Sequence, residues 1–331
     1  MKKPLLLHYY ITNRCNARCG FCSVWHETPK ADADAEDVFE NLRQARGAGC
    51  RFVDFTGGEP LLHPKLPMFL SEAKRCGFIT SVTTNCLLFE ERAKELAGLI
   101  DLLHFSIDAD NAPLHDKIRG SQSYGHVLRS IDAALENRLC PDLLFTYTEE
   151  NINAIDGVRR LAKKKRLILI LDPVFALWGP DKINAGVHRQ ALDFSRKTGV
   201  YLNRAHLLLR GSGGNRVRDP LCRAASSTVV ITPDNNLALP CYHHRCALVK
   251  INGNLTGALR SPERADALSK EGRYAFCEGC HINCYFDPTY MFARGKYLYE
   301  SMVCKLRYAA AKYLLYRRPW PKRFWFQNKK N

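Results

Sequence analysis

The sequence predicts an α/β fold, in which a partial (β/α)6 barrel precedes a small cysteine-rich domain and a basic aromatic tail. Strand-like apolar runs alternate with helix-like stretches through the first two-thirds of the 331 residues. Fourteen cysteines include two groups at metal-like spacings. The net charge of +16 is concentrated near the C-terminus. We predict the barrel over residues 1–204, the cysteine-rich domain over 205–290 and the tail over 291–331.

The first predicted strand is the apolar run over residues 5–11, which leads directly into a cysteine-bearing loop. Further strands are predicted over residues 51–56, 78–85, 102–108, 143–148 and 167–173. Helices are predicted over residues 34–48, 66–76, 89–98 and 127–136. Several strands are nearly continuous apolar runs, as in parallel sheets buried on both faces. Six units are too few to close an eight-stranded barrel, so we expect an open TIM-like barrel with its site at the carboxyl ends of the strands.

Three cysteines follow the first strand at C-x3-C-x2-C spacing, namely Cys15, Cys19 and Cys22. A cubane iron–sulfur cluster normally takes four protein thiolates, so three would leave one iron open to a ligand that is not protein. An open iron can do chemistry, whereas a fully ligated one usually carries electrons. A zinc site is the alternative, with His26 as the nearest candidate for a fourth ligand.

The segment over residues 11–22 resembles the signature of the radical S-adenosylmethionine (SAM) enzymes, and Phe21 fits the aromatic residue that this family carries before its third cysteine. The resemblance implies that Cys15, Cys19 and Cys22 are catalytic and hold a [4Fe–4S] cluster whose open iron binds SAM. It implies cleavage of SAM to a 5′-deoxyadenosyl radical, which takes a hydrogen atom from a peptide or small-molecule substrate. A reductant such as flavodoxin or ferredoxin is the implied electron donor.

Later strand ends are similar to the same family. The run Gly57-Gly58-Glu59-Pro60 resembles its Gly-Gly-Glu-Pro element, which implies contact with the amino group of SAM. The family pattern around Thr84 and Asn85 usually continues with glycine, where this chain has Cys86. The resemblance implies cofactor-binding roles for Phe21, Gly57, Gly58, Glu59, Thr84, Asn85, Ser106, Asp108 and Arg119.

For some of these positions, roles other than cofactor binding remain open. Ser106 and Arg119 are the implied partners of the SAM carboxylate, since arginine pairs well with carboxylates, but a surface salt bridge is the alternative for Arg119. Asp108 could instead face the substrate. Further candidates for ribose or substrate contact are Thr146, Thr148 and Asp172.

A second set of cysteines lies between residues 222 and 284. A predicted hairpin over residues 229–240 separates its first member, Cys222, from its second, Cys241. The hairpin and its Pro240-Cys241 pair resemble the SPASM and Twitch extensions of radical SAM enzymes, with Asn235 at the usual glycine position. The late cysteine spacing is shorter than in the full SPASM pattern, so we expect a Twitch-like domain with one auxiliary [4Fe–4S] cluster. The expected ligands are Cys222, Cys241, Cys277 and Cys280, with Cys284 or Cys246 as substitutes. A structural zinc ion is the alternative.

The tail carries eleven lysines or arginines and one acid from residue 294 onward, which accounts for +10 of the net charge. Aromatic residues lie among these cations. The segment could pack on the barrel, bind anionic lipids at the inner membrane face or bind RNA. We expect no membrane-spanning helix and no signal peptide, and the cysteine clustering favours a reducing cytoplasm. The rival to an enzyme is a non-catalytic zinc protein that binds RNA.

Overall fold

The computed structural model describes residues 3–176, 183–316 and 318. Its strands are β1 (Leu6–Thr12), β2 (Phe52–Gly57), β3 (Ile79–Thr84), β4 (Leu102–Ser106), β5 (Asp142–Tyr147), β6 (Leu169–Pro173), β7 (Val200–Tyr201), β8 (Thr228–Ile231), β9 (Asn236–Leu239) and β10 (Ala247–Lys250). They form one sheet in the order β10-β9-β8-β1-β2-β3-β4-β5-β6-β7.

The helices cover this sheet and connect its parallel strands. They are α1 (Ala35–Ala48), α2 (Leu66–Cys76), α3 (Phe89–Leu96), α4 (Ala112–Arg119), α5 (Tyr124–Glu136), α6 (Ile155–Lys165), α7 (Ala185–Ser195), α8 (Arg204–Gly211), α9 (Ala224–Ser227), α10 (Leu255–Ala258), α11 (Pro262–Ser269), α12 (Asn283–Tyr290) and α13 (Lys296–Ala309). A π-helical segment, Ala310–Leu315, continues α13.

Strands β1 to β6 are parallel and neighbour one another in chain order, which confirms the predicted partial barrel. Alternation along β1 explains its burial on both faces. Leu7, Tyr9 and Ile11 pack into the layer between the sheet and the helices, whereas His8 and Tyr10 lie on the other face, inside the barrel. The short strand β7 extends the sheet beyond β6 and was not predicted, because two residues carry no readable periodicity.

The strands of the cysteine-rich region join the same sheet. Strand β8 pairs in parallel with β1, from Leu6 opposite Thr228 to Tyr9 opposite Ile231, and β9 returns antiparallel to it. Asn235 turns this hairpin with a φ of 58°, the left-handed conformation that its position requires. Strand β1 therefore lies between the barrel and the hairpin, so that both cysteine regions flank it.

The C-terminal helix packs against the amino-terminal edge of the barrel. At the start of β5, Asp142 accepts hydrogen bonds from the Tyr308 hydroxyl at 2.6 Å and from Lys312 Nζ at 2.7 Å. Lys312 is only 3% exposed, so the ion pair anchors the helix in the interior. The predicted aromatic end of the tail, from Trp320 on, lies outside the described residues. Across residues 3–176 and 183–316, no helix has the length and apolar character needed to cross a bilayer.

Candidate active site

The cysteine loop at the end of β1 is seated directly on the loop that follows β2. The backbone N–H of Gly58 donates to Thr12 O at 2.9 Å, and that of Glu59 donates to Arg14 O at 2.8 Å. A Cβ atom at Gly57 would overlap the carbonyl oxygen of Thr12, and one at Gly58 would overlap that of Arg14. Two glycines are therefore needed here, because only a backbone without side chains lets the two loops approach so closely.

The three N-terminal thiols lie close together on this loop. Burial, followed by the nearby Glu59 carboxyl and the other two thiols, raises the pKa of Cys15 to about 11. Burial and the Cys19 thiol also raise the pKa of Cys22. Two thiols that burial keeps from ionising, beside a third on the same loop, fit a site whose metal supplies the missing positive charge, since metal-bound cysteines are deprotonated. The donor set thus fits three irons of an iron–sulfur cluster.

The zinc alternative on this loop needs further ligands beside the cysteines. Within the described ranges 3–176 and 183–316, no three His, Cys, Asp or Glu side chains converge closely enough to hold one metal ion. His26, the candidate for a fourth ligand in that alternative, is exposed, and its ring lies 3.4 Å from that of Trp25 between centroids, with the planes inclined by 30°. A cubane differs from zinc in binding each thiolate to a separate iron, so its ligands need not converge on one point.

Arg119, the last residue of α4, brings a buried positive charge to the loop. Its Nε atom lies 2.6 Å from Asp108 Oδ2, its Nη1 lies 3.7 Å from Cys19 Sγ, and its guanidinium carbon lies 5.5 Å from the centre of the Phe21 ring. Burial alone would lower the pKa of Arg119, but Asp108 and Cys19 raise it above its usual value. The salt bridge considered from the sequence exists, but in the interior, since Arg119 is 7% and Asp108 0% exposed.

Glu59 forms a second network beneath the loop. Its carboxylate accepts hydrogen bonds from the Leu61 N–H at 3.1 Å, the Thr84 hydroxyl at 2.8 Å and the Asn85 N–H at 2.8 Å. Burial raises the pKa of Glu59 to about 7. The Asn85 side chain in turn donates to Asn16 Oδ1 at 2.8 Å, which connects this network to the cysteine loop. The carboxylate therefore braces the loop, and each of its oxygens already accepts from the protein.

The remaining predicted positions lie at neighbouring strand ends. Cys86 adopts a φ of 70°, which is the left-handed conformation expected where the family pattern has glycine. Ser106 is buried at the end of β4, two residues before Asp108. The N–H of Thr146 donates to Asp108 at 2.8 Å, and that of Thr148 donates to Asn151 at 2.7 Å.

The interior of the barrel is polar below the cysteine loop. Asp172, at the end of β6, accepts a hydrogen bond from the Asn283 side chain, and burial raises its pKa to about 7. Cys284 faces the same interior, where burial, Asp172 and Asp54 raise the pKa of its thiol to about 12. The Cys22 thiol also contributes to the raised pKa of Cys284. Cys284 therefore points towards the N-terminal trio and away from the other C-terminal cysteines.

Two cavities adjoin this interior. One of about 290 Å³ inside the barrel is lined by His104, Asp172 and Asp287, among others. A second of about 830 Å³ opens beside the cysteine loop, between Phe21 and Phe175. A molecule entering this second cleft would meet the Cys22 side of the loop.

Four C-terminal thiols come together in a separate group. Burial and the three other thiols raise the pKa of Cys222 well above its ordinary value, while burial, Cys280 and Cys277 raise that of Cys241 to about 12. Burial and Cys280 likewise raise the pKa of Cys277 to about 12. The grouped thiols are Cys222, Cys241, Cys277 and Cys280. Both substitutes are exposed, Cys246 beside Cys277 and Cys284 in the open interior of the barrel.

One residue that the sequence did not single out organises this group. The Asn215 side chain, 1% exposed, accepts from the backbone N–H groups of Leu221 and Cys222, both at 3.1 Å. It donates to Gly272 O at 2.8 Å and Cys277 O at 3.1 Å. The backbone N–H of Asn215 also donates to Cys280 O at 2.9 Å. In the sequence Asn215 merely ends a glycine-rich joint, and nothing local indicates that it connects the segment of Cys222 with that of Cys277 and Cys280.

An aromatic bridge lies between the two thiol groups. The rings of Tyr10 and Tyr242 stack with centroids 3.5 Å apart and planes inclined by 2°. The Tyr242 hydroxyl donates to Glu27 at 2.7 Å, and its N–H donates to the Tyr285 hydroxyl at 2.8 Å. Tyr10 belongs to β1, and Tyr242 follows Cys241. The bridge therefore fixes the second thiol group against the barrel.

Known sequences match the part of the chain that carries this site. The model of the radical SAM superfamily matches residues 9–162. GTP 3',8-cyclase of Clostridium acetobutylicum is 31% identical over 159 residues, 45% of this chain and 49% of that protein. The chain thus matches about half the length of that relative. A tungsten-containing aldehyde ferredoxin oxidoreductase cofactor-modifying protein of Pyrococcus furiosus is 25% identical over 329 residues, 91% of this chain and 87% of that protein.

Solved structures share the fold. Streptococcus suis SuiB bound to S-adenosylmethionine superposes with a TM-score of 0.66 at 18% identity, covering 89% of this chain and 76% of that chain. An anSMEcpe structure with bound AdoMet gives a TM-score of 0.61 at 17% identity, covering 80% of this chain and 83% of that chain. At these identities the likeness concerns the architecture. With its cysteine loop and its sequence match, the chain carries a radical SAM domain at residues 9–162.

Proposed function

We propose that this chain cleaves SAM reductively and uses the resulting radical to take a hydrogen atom from a substrate. The gathering of three thiols on one loop, beside the buried Arg119–Asp108 pair, carries this proposal. Cys15, Cys19 and Cys22 would hold three irons of a [4Fe–4S] cluster. When bound, the cluster supplies the electron that splits SAM into methionine and a 5′-deoxyadenosyl radical.

The surrounding residues bind and orient SAM in this proposal. Phe21 lies beside the loop, where a flat ring can pack against adenine. Arg119 has five N–H donors, of which Nε faces Asp108 and Nη1 faces Cys19, so the others are available to the SAM carboxylate along with the Ser106 hydroxyl. Glu59, held by Thr84 and Asn85, keeps the loop in place and turns a negative field towards the SAM ammonium group.

The four C-terminal thiols, in this proposal, hold an auxiliary [4Fe–4S] cluster. Four thiolates would close its coordination, which suits an electron relay or acceptor more than a second SAM site. The rival is a zinc protein without catalysis. Metal analysis of the purified protein separates this rival from an iron–sulfur protein.

The substrate is proposed to be a peptide or a small molecule. The cleft of about 830 Å³ beside Cys22 has room for either class. Among the fold neighbours, SuiB has been solved with the precursor peptide SuiA, and anSMEcpe with a Cp18Cys peptide. A screen of peptides and metabolites for accelerated release of deoxyadenosine would identify the class.

The working environment is proposed from the cysteines and the tail. Thiols that hold reduced clusters need a reducing cytoplasm, with a reductant such as flavodoxin or ferredoxin supplying electrons. The basic aromatic tail over residues 291–331 is proposed to touch the inner membrane face without crossing it.

Anaerobic reconstitution tests the enzymatic proposal. Purified protein is loaded with iron and sulfide, reduced, and examined by EPR before and after SAM is added. We expect about eight irons per chain, a SAM-dependent change in one EPR signal, and release of deoxyadenosine. The Cys15→Ala/Cys19→Ala/Cys22→Ala variant should lose the SAM-dependent change and the release while keeping about four irons. Zinc as the bound metal, without deoxyadenosine, would contradict the proposal.

A further inference from the structure

We propose that the outer face of the C-terminal helix, with a basic cleft at the end of α6, is the surface that binds an anionic lipid bilayer. Leucines would enter the boundary between headgroups and acyl chains, and a lipid phosphate would occupy the cleft. The inference rests on the proposed membrane contact of the tail and names its surface. It is independent of the radical chemistry.

The helix that carries this face is firmly attached on its other side. Ser301, Cys304 and Lys312 are buried against the barrel, and Lys312 pairs with Asp142. The outer side exposes four large apolar side chains: Tyr299 by 66%, Leu306 by 63%, Leu314 by 68% and Leu315 by 51%. Single exposed leucines are common on soluble proteins, but several along one anchored helix form an interaction surface.

The helical geometry keeps most of these side chains on one side. Tyr299 and Leu306 are seven residues apart, which is about two α-helical turns. The π-helical segment Ala310–Leu315 holds more residues per turn than an α-helix and returns Leu314 to the same side. Leu315 follows it at the border of the basic cleft.

The basic cleft has a volume of about 460 Å³ and adjoins the apolar face. Its lining includes Leu315 and Tyr316 of the helix together with Arg159, Lys163, Arg166 and Lys197. Asp156 pairs with Arg159 at 2.9 Å and lies 3.9 Å from Lys197, so one carboxylate faces four cations. An excess of positive charge beside exposed leucines matches a surface that is negative at the headgroups and apolar beneath them.

The chain continues from this place into a segment that combines basic and aromatic residues. Arg318 donates to Arg166 O at 3.2 Å, so the tail leaves the helix at the cleft. The thirteen following residues include two tryptophans, two phenylalanines and four lysines or arginines. Tryptophan and basic side chains are enriched where proteins meet the bilayer interface.

A bilayer suits the face better than RNA. RNA-binding surfaces combine cations with aromatic rings, on which bases stack, and gain nothing from exposed aliphatic side chains. Leu306, Leu314 and Leu315 have a use only on an apolar partner. The contact with Asp142 also places the helix at the amino-terminal edge of the sheet, opposite the cysteine loop. The bound enzyme would therefore keep its active-site cleft turned away from the membrane.

Vesicle co-sedimentation of the full-length, cluster-loaded protein tests this surface. Phosphatidylcholine vesicles are compared with vesicles that also contain phosphatidylglycerol. We expect binding only to the latter, decreasing with salt because charge attraction is screened. Lys163→Glu/Arg166→Glu should weaken binding by at least about 30-fold, and Leu306→Glu/Leu314→Glu by a similar factor.

Matched variants elsewhere separate this face from general charge or hydrophobicity. Lys270→Glu just after α11 and Met68→Glu on α2 change residues that are 56% and 52% exposed, respectively, and should bind as the wild type does. Circular dichroism confirms that each variant is folded. Both double variants could bind as the wild type does while deletion of residues 319–331 abolishes binding. That result would overturn the proposed surface and show that the tail alone contacts the membrane. Failure of the wild type to bind either vesicle, or binding to RNA only, would overturn both the proposed surface and the membrane contact of the tail.

Discussion

The two thiol groups lie on opposite sides of β1 and differ in what surrounds them. The N-terminal trio has two partly accessible thiols and one buried thiol, with charged neighbours that include Arg119, Asp108 and Glu59. The C-terminal group has four thiols and is held by a neutral amide, Asn215. Charged groups beside a site with an incomplete ligand set suit the binding of a polar molecule. Neutral hydrogen-bonding groups around a cluster with all four thiolate ligands suit a centre that only accepts and donates electrons.

The chain topology explains this difference. The trio follows a central parallel strand, where the ends of neighbouring strands bring Glu59, Asp108 and Asn85 to one edge. The C-terminal group instead combines a hairpin end, a loop and a 3-10 turn, which share no sheet edge. Its segments therefore need a dedicated connector, and Asn215 supplies it through bonds to residues 57 and 62 positions away.

The largest expected effect is the loss of one cluster without the other. Cys241→Ser should lower the iron content from about eight to about four per chain, because a four-iron cluster rarely survives without one of its thiolates. SAM-dependent deoxyadenosine release should persist, since the N-terminal trio is intact. Iron analysis and EPR of the reduced protein measure both outcomes.

The control for this prediction is Cys246→Ser, which changes an exposed thiol next to the group. It should keep about eight irons. If Cys246→Ser lost the iron and Cys241→Ser kept it, the assignment of ligands in the C-terminal group would be wrong.

The charged character of the trio predicts the next effect. Arg119→Met leaves Asp108 as a buried, uncompensated charge and should cost about 3–5 kcal/mol of unfolding free energy. Urea denaturation measures this cost. Adding Asp108→Asn should recover part of it, because the double variant removes the unpaired carboxylate. Equal stability of the single and double variants would show that the pair does not act as a pair.

The polar barrel interior between the two groups predicts a pH effect. Burial raises the pKa of Asp172 to about 7 from an ordinary value of 3.8, so the folded chain keeps a proton that the unfolded chain releases near pH 4. The wild type should therefore lose stability relative to Asp172→Asn as the pH rises from about 4 to about 7, by about 2 kcal/mol after allowance for partial exposure. Unfolding measured across this range tests the trend. A difference between the two proteins that stays constant across this range would contradict the prediction.

The sequence alone predicts those parts of the fold and site that depend on neighbouring residues. Strands β1 to β6 follow from apolar runs, and the trio follows from the spacing of Cys15, Cys19 and Cys22. Cys86 and Asn235 illustrate a finer case, because both occupy positions where the family pattern has glycine and both adopt a positive φ. The pattern predicted the backbone conformation even though the residue type had changed.

The rest depends on contacts between distant residues. The parallel pairing of β8 with β1 joins segments more than 200 positions apart, and no local periodicity encodes it. The same holds for Asn215 and for the ion pair of Arg119 with Asp108, which the sequence offered only as a surface contact. Charged residues are mostly exposed, so a buried ion pair is recognised only when its surroundings are known.

The smallest expected effect concerns the bridge that joins the two regions. Tyr242→Phe removes the hydrogen bond to Glu27 and keeps the ring that stacks on Tyr10, so it should cost about 1.5 kcal/mol. Tyr242→Leu also removes the stacking and leaves space in the core, and should cost about 2 kcal/mol more. Arg245 continues to pair with Glu27 at 2.9 Å in both variants, so the carboxylate is not left without a partner. Urea unfolding of both proteins separates the two contributions. Equal losses would mean that the hydroxyl, and not the stacked ring, holds the C-terminal group against β1.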